Sequence, residues 1–271
     1  MTELEILGGL IKLCEPKKNP GDYEVDGILY CGKCRTPKQC VVELETGPLV
    51  VGCQCQCGEA AYEAEKRAQK DRERAMYIEQ LRSDGVRDKG LSQCRFEAAT
   101  ETPELAKCRT YVERWPDMLR DNCGLLFWGG TGNGKTFSAA CIANALIDKG
   151  VPVLMTSFPR ILSAGWDDRE RIADEMREYD LLVIDDLGAE RESDYALETV
   201  YMVVDERYKS KKPVIITTNL TLDDLCKPGD MDHQRIYDRV LEMCVPVVFK
   251  GDSIRRKRAN DNLRKAREIF G

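Results

Sequence analysis

Gly129-Gly130-Thr131-Gly132-Asn133-Gly134-Lys135-Thr136 fits the pattern G-x-x-x-x-G-K-[ST] of a phosphate-binding loop. An apolar run at 123–128 predicts a buried strand before the loop, and the apolar spacing of 137–149 predicts a helix after it. The glycines let successive backbone N–H groups turn towards an anion, and the positive end of the helix adds to the attraction. We therefore expect residues 130–136 and Phe137 to bind the phosphates of a nucleotide.

A second motif supplies carboxylates for the same site. Residues 179–186, Tyr-Asp-Leu-Leu-Val-Ile-Asp-Asp, form an apolar run that ends in two acids, which is the pattern of a Walker-B strand. In P-loop ATPases the loop lysine reaches the β- and γ-phosphates, while the loop hydroxyl and the strand-end aspartate hold Mg²⁺. We expect these roles for Lys135, Thr136 and Asp185, and we expect Asp186 to orient or deprotonate the attacking water. The two motifs together predict an ATP and Mg²⁺ site.

Three more apolar runs continue an alternation of strands and helices, at 151–156, 213–219 and 245–249. The second of these ends in Thr-Thr-Asn, so that Asn219 follows the strand directly. In this type of sheet the strand ends and the phosphate loop meet at one edge. Asn219 is therefore a candidate to contact the attacking water or the γ-phosphate, although an asparagine after a strand is often only a turn residue.

A helix predicted at 234–242 places Arg235 and Arg239 four residues apart on one face. An arginine on a helix is commonly solvated or paired with an acid. The alternative is an arginine finger that reaches the γ-phosphate of a neighbouring subunit.

The cysteines of the amino-terminal third are spaced as in a zinc ribbon. Cys31-Gly32-Lys33-Cys34 makes a tight turn that can place two thiolates on one ion, and a second pair after a strand-like stretch would close the tetrahedron. Three cysteines compete for the two remaining places, and Cys40 is a fourth candidate. The predicted zinc ligands are thus four of Cys31, Cys34, Cys53, Cys55 and Cys57. The other reading is reduced cysteines packed as small hydrophobic residues.

The chain has 271 residues, a formal net charge of −6 and thirteen cysteines. This length accommodates an α/β core and a smaller module. We expect a Cys-rich zinc module at 1–60, an exposed helical linker at 61–90, rich in mixed charges, and an ATPase domain at 91–271. The start lacks the order of a signal peptide and no stretch is long and apolar enough to span a membrane, so we expect a cytoplasmic protein with reduced thiols.

Taken in order, the four pieces Gly-Gly-Thr-Gly-Asn-Gly-Lys-Thr, Leu-Leu-Val-Ile-Asp-Asp-Leu-Gly, Ile-Thr-Thr-Asn and Arg-Ile-Tyr-Asp-Arg resemble those of a known family. It is the AAA+ ATPases of the bacterial and phage replicative-helicase loaders, the DnaC/DnaI type. The resemblance covers about residues 90–260. It implies an α/β fold with a five-stranded parallel sheet in the order 5-1-4-3-2 and without a helical lid domain.

The resemblance also implies roles for individual residues. Asn219 matches sensor 1, Arg239 matches an arginine finger that acts in trans, and Arg255 is the candidate for sensor 2. Arg235 is the second choice for the finger. Asp186 stands where many AAA+ proteins have glutamate, which leaves the hydrolysis rate open.

The resemblance implies partners as well: a hexameric replicative helicase held by the amino-terminal module, single-stranded DNA, and other copies of the chain in ATP-dependent oligomers. We consider two alternatives. One is an IstB-type transposition helper, which shares the nucleotide site and acts with duplex DNA and a transposase. The other is a non-hydrolysing adaptor in which ATP is only a structural or switching ligand.

Overall fold

The computed structural model describes residues 17–44, 47–163, 169–189, 193–251 and 253–270. The chain divides into two compact units, Met1–Ala75 and Met76–Gly271. Among the described residues, no helix has both the length and the apolar character that a bilayer span requires.

Two antiparallel ribbons and the start of a long helix form the first unit. Strand β1 (Tyr23–Val25) pairs with β2 (Ile28–Tyr30), and β3 (Gln39–Leu44) pairs with β4 (Gly47–Gly52). The first ribbon turns at Asp26-Gly27, where both residues have positive φ, as a two-residue hairpin turn requires. Helix α1 (Gln56–Gly85) begins four residues after β4.

The second unit is built on one parallel sheet. Its strands are β5 (Gly124–Gly129), β6 (Val153–Ser157), β7 (Leu181–Leu187), β8 (Val214–Thr218) and β9 (Cys244–Phe249). They lie in the order β6-β7-β8-β5-β9, and all neighbouring strands are parallel. When these five strands are numbered along the chain, the order is 5-1-4-3-2, which confirms the predicted α/β fold.

Helices connect the strands and cover both faces of the sheet. Two of them precede it, α2 (Pro103–Glu113) and α3 (Trp115–Arg120). The others are α4 (Lys135–Asp148), α5 (Phe158–Ser163), α6 (Arg169–Glu178), α7 (Asp194–Ser210), α8 (Leu222–Cys226), α9 (Met231–Met243) and α10 (Ile254–Phe270).

The sheet is buried on both sides along β5 to β8, which explains why these strands are continuous apolar runs rather than alternating ones, whereas Val245 of the edge strand β9 is 52% exposed. Along β5, Leu125 and Phe127 belong to a core cluster that includes α2 and α4. Leu126, between them, belongs to a second cluster on the other face, which includes α7 and α9. Successive strand residues point to opposite faces, so one strand contributes to both clusters.

Arg207 of α7 is buried at the amino ends of β7 and β8, with 2% of its surface exposed. Its guanidinium donates hydrogen bonds to four backbone carbonyl groups, those of Met176, Tyr179, Asp180 and Pro213. Burial lowers its pKa to about 10. Arg207 therefore ties together the segments that lead into two neighbouring strands.

Candidate nucleotide site and cysteine cluster

The phosphate-binding loop joins the end of β5 to the start of α4. Gly129, Gly132 and Gly134 have φ values of +138°, +86° and +92°, a region that side chains other than glycine rarely adopt. Gly134 is the residue that caps α4, and the helix continues from Lys135. The first backbone N–H groups of a helix have no partner within it. The loop therefore offers donors and the positive end of a helix to an anion.

Lys135 is buried within this loop, with 5% of its surface exposed. Its Nζ donates to the carbonyl oxygens of Gly129 and Gly130, at 2.7 and 2.9 Å, and to Oδ1 of Asn219 at 2.9 Å. Burial lowers the pKa of its ammonium group from the ordinary value. The structure thus brings Asn219, at the end of β8, to the loop lysine.

Asp185 lies beside the hydroxyl group of the loop. Thr136 Oγ1 donates to its two carboxylate oxygens, at 2.9 and 3.1 Å, and Thr217 Oγ1 donates to Oδ1 at 2.6 Å. Burial raises the pKa of Asp185 above the ordinary range, although both hydroxyl groups favour the charged form. Sequence reasoning did not assign Thr217, but its signal was present in the Thr-Thr-Asn that ends the strand. A carboxylate and a hydroxyl group are ligands that suit Mg²⁺.

Asp186 has an unusual backbone conformation next to Asp185. Its φ is +61°, and the register between β7 and β8 shifts between Ile184 and Leu187. The N–H group of Asp186 donates to Thr217 Oγ1 at 3.0 Å. A positive φ outside glycine is uncommon and is best tolerated by residues such as aspartate. The shift leaves Asp186 outside the regular pairing of β7 with β8 at the carboxyl edge of the sheet.

The end of β9 and the first turn of α10 form a wall against the loop. Asn133 Nδ2 donates to the carbonyl oxygen of Phe249 at 3.1 Å, and the N–H group of Ile254 donates to the carbonyl oxygen of Gly132 at 3.0 Å. A Cβ atom at Gly132 would lie 2.2 Å from Ser253 Oγ, which would have to move, and the φ of +86° itself favours glycine there. The Cβ atom of Arg255 lies 3.6 Å from where a Cβ atom of Gly132 would be, so this arginine is near the loop, and its positive charge contributes to the lowered pKa of Lys135.

Arg239 and Arg235 of α9 lie on the surface shared with α7 rather than among the hydrogen bonds of the loop. Arg239 forms an ion pair with Asp205 at 3.0 Å, and its guanidinium lies 4.7 Å from the ring centre of Tyr201. The side chain of Arg235 is 65% exposed, and its nearest acid is Asp232 at 3.7 Å. Of the two predicted finger candidates, Arg235 is the less constrained.

Four cysteines meet in the first unit. The Sγ atoms of Cys31, Cys34, Cys55 and Cys57 all lie within 4.8 Å of one another. Cys31 and Cys57 are 3.6 Å apart, and Cys55 and Cys57 are 3.5 Å apart. The structure leaves Cys53 outside this group, with its Sγ 3.8 Å from the carbonyl oxygen of Pro37. Cys40 lies exposed on β3 and is also outside the group.

The local backbone favours the thiolate form of Cys31 and Cys34. The N–H groups of Cys34 and Lys33 point at the Cys31 sulfur and lower its pKa. The Thr36 hydroxyl, with backbone N–H groups, lowers the pKa of Cys34 to about 5. Hydrogen bonds to the sulfur atoms of Cys34, Cys55 and Cys31 favour the protonated thiol of Cys57 and raise its pKa to about 12. Four thiolates at this spacing fit a tetrahedral zinc ion, which would replace that proton.

A buried ion pair supports the first cysteine turn. Lys38 Nζ lies 2.6 Å from Asp22 Oδ2, and the side chains are 9% and 2% exposed. Asp22 Oδ1 accepts the N–H group of Gly32 at 3.0 Å, between Cys31 and Cys34. The Lys38 ammonium holds the pKa of Asp22 down at about 2. Sequence reasoning missed this pair, because nothing in the local pattern distinguishes it from exposed charges.

Comparison with known proteins gives a consistent result. The family model of the IstB-like ATP binding protein matches residues 60–262. The replicative helicase loader DnaC of Escherichia coli strain K12 is 32% identical over 171 residues, which cover 60% of this chain and 67% of DnaC. Protein XkdC of the phage-like element PBSX from Bacillus subtilis strain 168 is 28% identical over 191 residues, 66% of each chain. The crystal structure of DnaI superposes with a TM-score of 0.53 at 19% identity, covering 64% of this chain and 98% of DnaI, and supports the fold.

Proposed function

Because the chain belongs to the IstB-like ATP-binding proteins, AAA+ proteins related to the DnaC and DnaI helicase loaders, we propose that it loads a hexameric replicative DNA helicase onto single-stranded DNA. The observation that carries this proposal is the similarity to DnaC, which extends over two thirds of that loader. The site geometry supports the ATP dependence, since the loop, two acids and Asn219 converge at one edge of the sheet.

The residues of the site have distinct tasks in this proposal. Residues 130–136 and Phe137 bind the phosphates of ATP, and Lys135 exchanges its bonds to carbonyl oxygens for bonds to the β- and γ-phosphates. Thr136 and Asp185 hold Mg²⁺, which offsets phosphate charge when bound. Asp186 orients the attacking water, and Asn219 contacts the γ-phosphate. Arg255, near the loop, takes the place of sensor 2.

The cysteine cluster acts in the partner-binding part of the proposal. Cys31, Cys34, Cys55 and Cys57 hold a structural zinc ion, which stabilises the amino-terminal module at 1–60. This module binds the helicase, while residues 61–90 link it to the ATPase domain at 91–271. Copies of the chain assemble in the presence of ATP.

The test is co-purification and light scattering of the protein mixed with a hexameric replicative helicase from the same source, with and without ATP. We expect a stable complex with the intact chain and none with the double variant Cys31→Ser, Cys34→Ser. The matched control replaces Cys94 and Cys123 with serine, because neither belongs to the cluster. If the intact chain forms no complex in either nucleotide state, the loader proposal fails.

An IstB-type transposition helper is the second candidate, and the match of the family model to 60–262 favours it. Such a helper is expected to bind duplex DNA and a transposase in place of the helicase. A non-hydrolysing adaptor is a third reading, which ATP turnover stimulated by single-stranded DNA and abolished by Asp185→Asn would exclude.

The arginine finger gives one more prediction. Arg239→Ala is expected to leave ATP affinity unchanged and to lower hydrolysis in the oligomer by at least about 100-fold, because a finger stabilises transition-state charge across the subunit interface. Steady-state phosphate release, measured at protein concentrations above and below assembly, checks this. Full activity of Arg239→Ala and loss of activity in Arg235→Ala would transfer the role to Arg235.

A further inference from the structure

Helix α10 carries a charge opposite to that of the chain as a whole. Its sequence contains seven basic residues and two acidic residues, whereas the chain has a formal net charge of −6. The rest of the protein is therefore strongly acidic, and the positive charge is concentrated on one element. Concentrated positive charge in an acidic protein favours a polyanionic partner at this element.

Arg256, Arg264 and Arg267 form a row along one side of this helix, which we call the arginine stripe. All three side chains are exposed. Among the described side chains, Arg256 and Arg267 have no ion pair within 4 Å, and Arg264 has only the neighbouring Asp261 at 3.5 Å. The stripe spans 12 residues from Arg256 to Arg267, or roughly 16 Å along the axis. Arg264 and Arg267 line one shallow surface depression together with Asn260, Leu263 and Glu268.

Two apolar side chains border the arginine stripe. Leu263 is 58% exposed, and Phe270, three residues after Arg267, is 85% exposed. An aromatic ring beside cations is the combination with which proteins bind single strands, since the ring stacks on an unpaired base while the cations contact the phosphates. The bases of a duplex are already stacked and offer no such partner to Phe270.

The stripe has a fixed relation to the nucleotide site. The helix begins at Ile254, whose N–H group donates to Gly132 of the phosphate-binding loop, and the Ile254 side chain lies 3.6 Å from where a Cβ atom of Gly134 would be. A helix anchored by its first turn holds its later turns in a defined direction.

We propose that the arginine stripe and Phe270 of α10 form the surface on which this protein binds the backbone and bases of single-stranded nucleic acid. The inference rests on the proposed function, which requires such binding, and adds where it takes place.

Fluorescence anisotropy with a labelled oligothymidylate of about 20 nucleotides tests the proposal. In the full-length protein, Arg256→Gln, Arg264→Gln and Arg267→Gln together should weaken binding by at least about 10-fold and reduce the slope of log K against log salt by about 2. The matched control is Arg67→Gln, Arg72→Gln and Arg74→Gln on α1, which removes the same charge from exposed positions and should bind as the unchanged protein does. Phe270→Leu should weaken binding to the single strand and leave duplex binding unchanged.

Equal losses in the stripe variant and the α1 control would overturn the proposal, because net charge alone would then explain binding. Unchanged oligothymidylate binding by the stripe variant would also overturn it. So would a stripe variant that loses binding to anionic phosphatidylglycerol vesicles but keeps its binding to oligothymidylate. The proposed function is tested separately by the helicase complex, which the stripe variant should still form. If the unchanged protein binds no single strand, both this inference and the delivery step fail.

Discussion

Arg207 and Lys135 are buried cations at opposite edges of the same sheet, and both donate hydrogen bonds to backbone carbonyl groups. Arg207 lies at the amino ends of β7 and β8, where its planar group is fully engaged by four carbonyls of two separate segments, 176–180 and Pro213. Lys135 lies at the carboxyl edge, where its partners are two carbonyls of its own loop and the amide of Asn219. The first cation joins pieces of the fold, and the second occupies a place where its partners can be exchanged for phosphate oxygens.

The comparison predicts the largest effect for Arg207→Met, measured as the free energy of unfolding. We expect a loss of about 3 kcal/mol or more, because several buried carbonyl groups lose their donors at once. Urea denaturation followed by circular dichroism measures it. The control is Lys209→Met, since Lys209 is on the same helix but 63% exposed, and it should change stability by less than about 0.5 kcal/mol. Stability equal to that of the unchanged protein would show that Arg207 is not a structural cation.

Lys135→Met should lower ATP affinity and leave the stability of the fold nearly unchanged. ATP affinity is expected to fall by about 100-fold, because the charge-assisted bonds to two phosphates are lost. The urea midpoint should change little, since the loop carbonyls freed by the substitution lie at the edge of the sheet, where water can reach them. Titration with a fluorescent ATP analogue measures the affinity. An unchanged ATP affinity would contradict the assignment of Lys135 to phosphate binding. A loss of stability as large as that of Arg207→Met would show that the two cations do not differ in their structural role.

Lys38 adds a third buried cation, and its partner is a carboxylate. Lys38→Met should lower zinc affinity by about 10-fold, because Asp22 then loses the charge that holds it against the N–H group of Gly32. Competition with a chromogenic chelator measures this. Lys18→Met is the matched control, since Lys18 pairs with Glu24 at the surface and should leave zinc affinity unchanged. If Lys38→Met and Lys18→Met bind zinc with equal affinity, the buried pair of Lys38 and Asp22 does not support the cysteine turn.

The smallest effect concerns Asp185, which faces the phosphate-binding loop. Its raised pKa means that the folded chain binds this proton more tightly than the unfolded chain does. The stability that this proton contributes to the folded state is fully present below the ordinary aspartate pKa. It is lost as the pH rises through the pKa that Asp185 has in the folded chain. Asp185→Asn imitates the protonated form, so its urea midpoint should exceed that of the unchanged protein near pH 7 and match it below about pH 4. A lower midpoint for Asp185→Asn near pH 7 would contradict this.

The strands were predictable because most of their residues are buried and leave apolar runs in the sequence, whereas their order was predicted from the family resemblance. The loop and both acids were recognisable from spacing alone. Arg207 was not, because an arginine on a helix gives the same local signal whether it is solvated or surrounded by carbonyls from distant segments. The sequence also could not show which two of Cys53, Cys55 and Cys57 complete the cluster, because their local patterns are alike. Cys53 is still bonded to Lys38 through its backbone N–H group, so it continues the ribbon, whereas Cys55 and Cys57 lie at the start of α1.

The wall that α10 and β9 form against the phosphate-binding loop has a consequence for the order of folding. Asn133 and Phe249 are 116 residues apart along the chain, and the bond between Gly132 and Ile254 joins equally distant segments. Contacts at such separation close a long loop and therefore form late. During synthesis, β5 and the glycines emerge well before the wall exists. ATP should therefore slow unfolding of the finished protein while having little influence on the rate at which it folds.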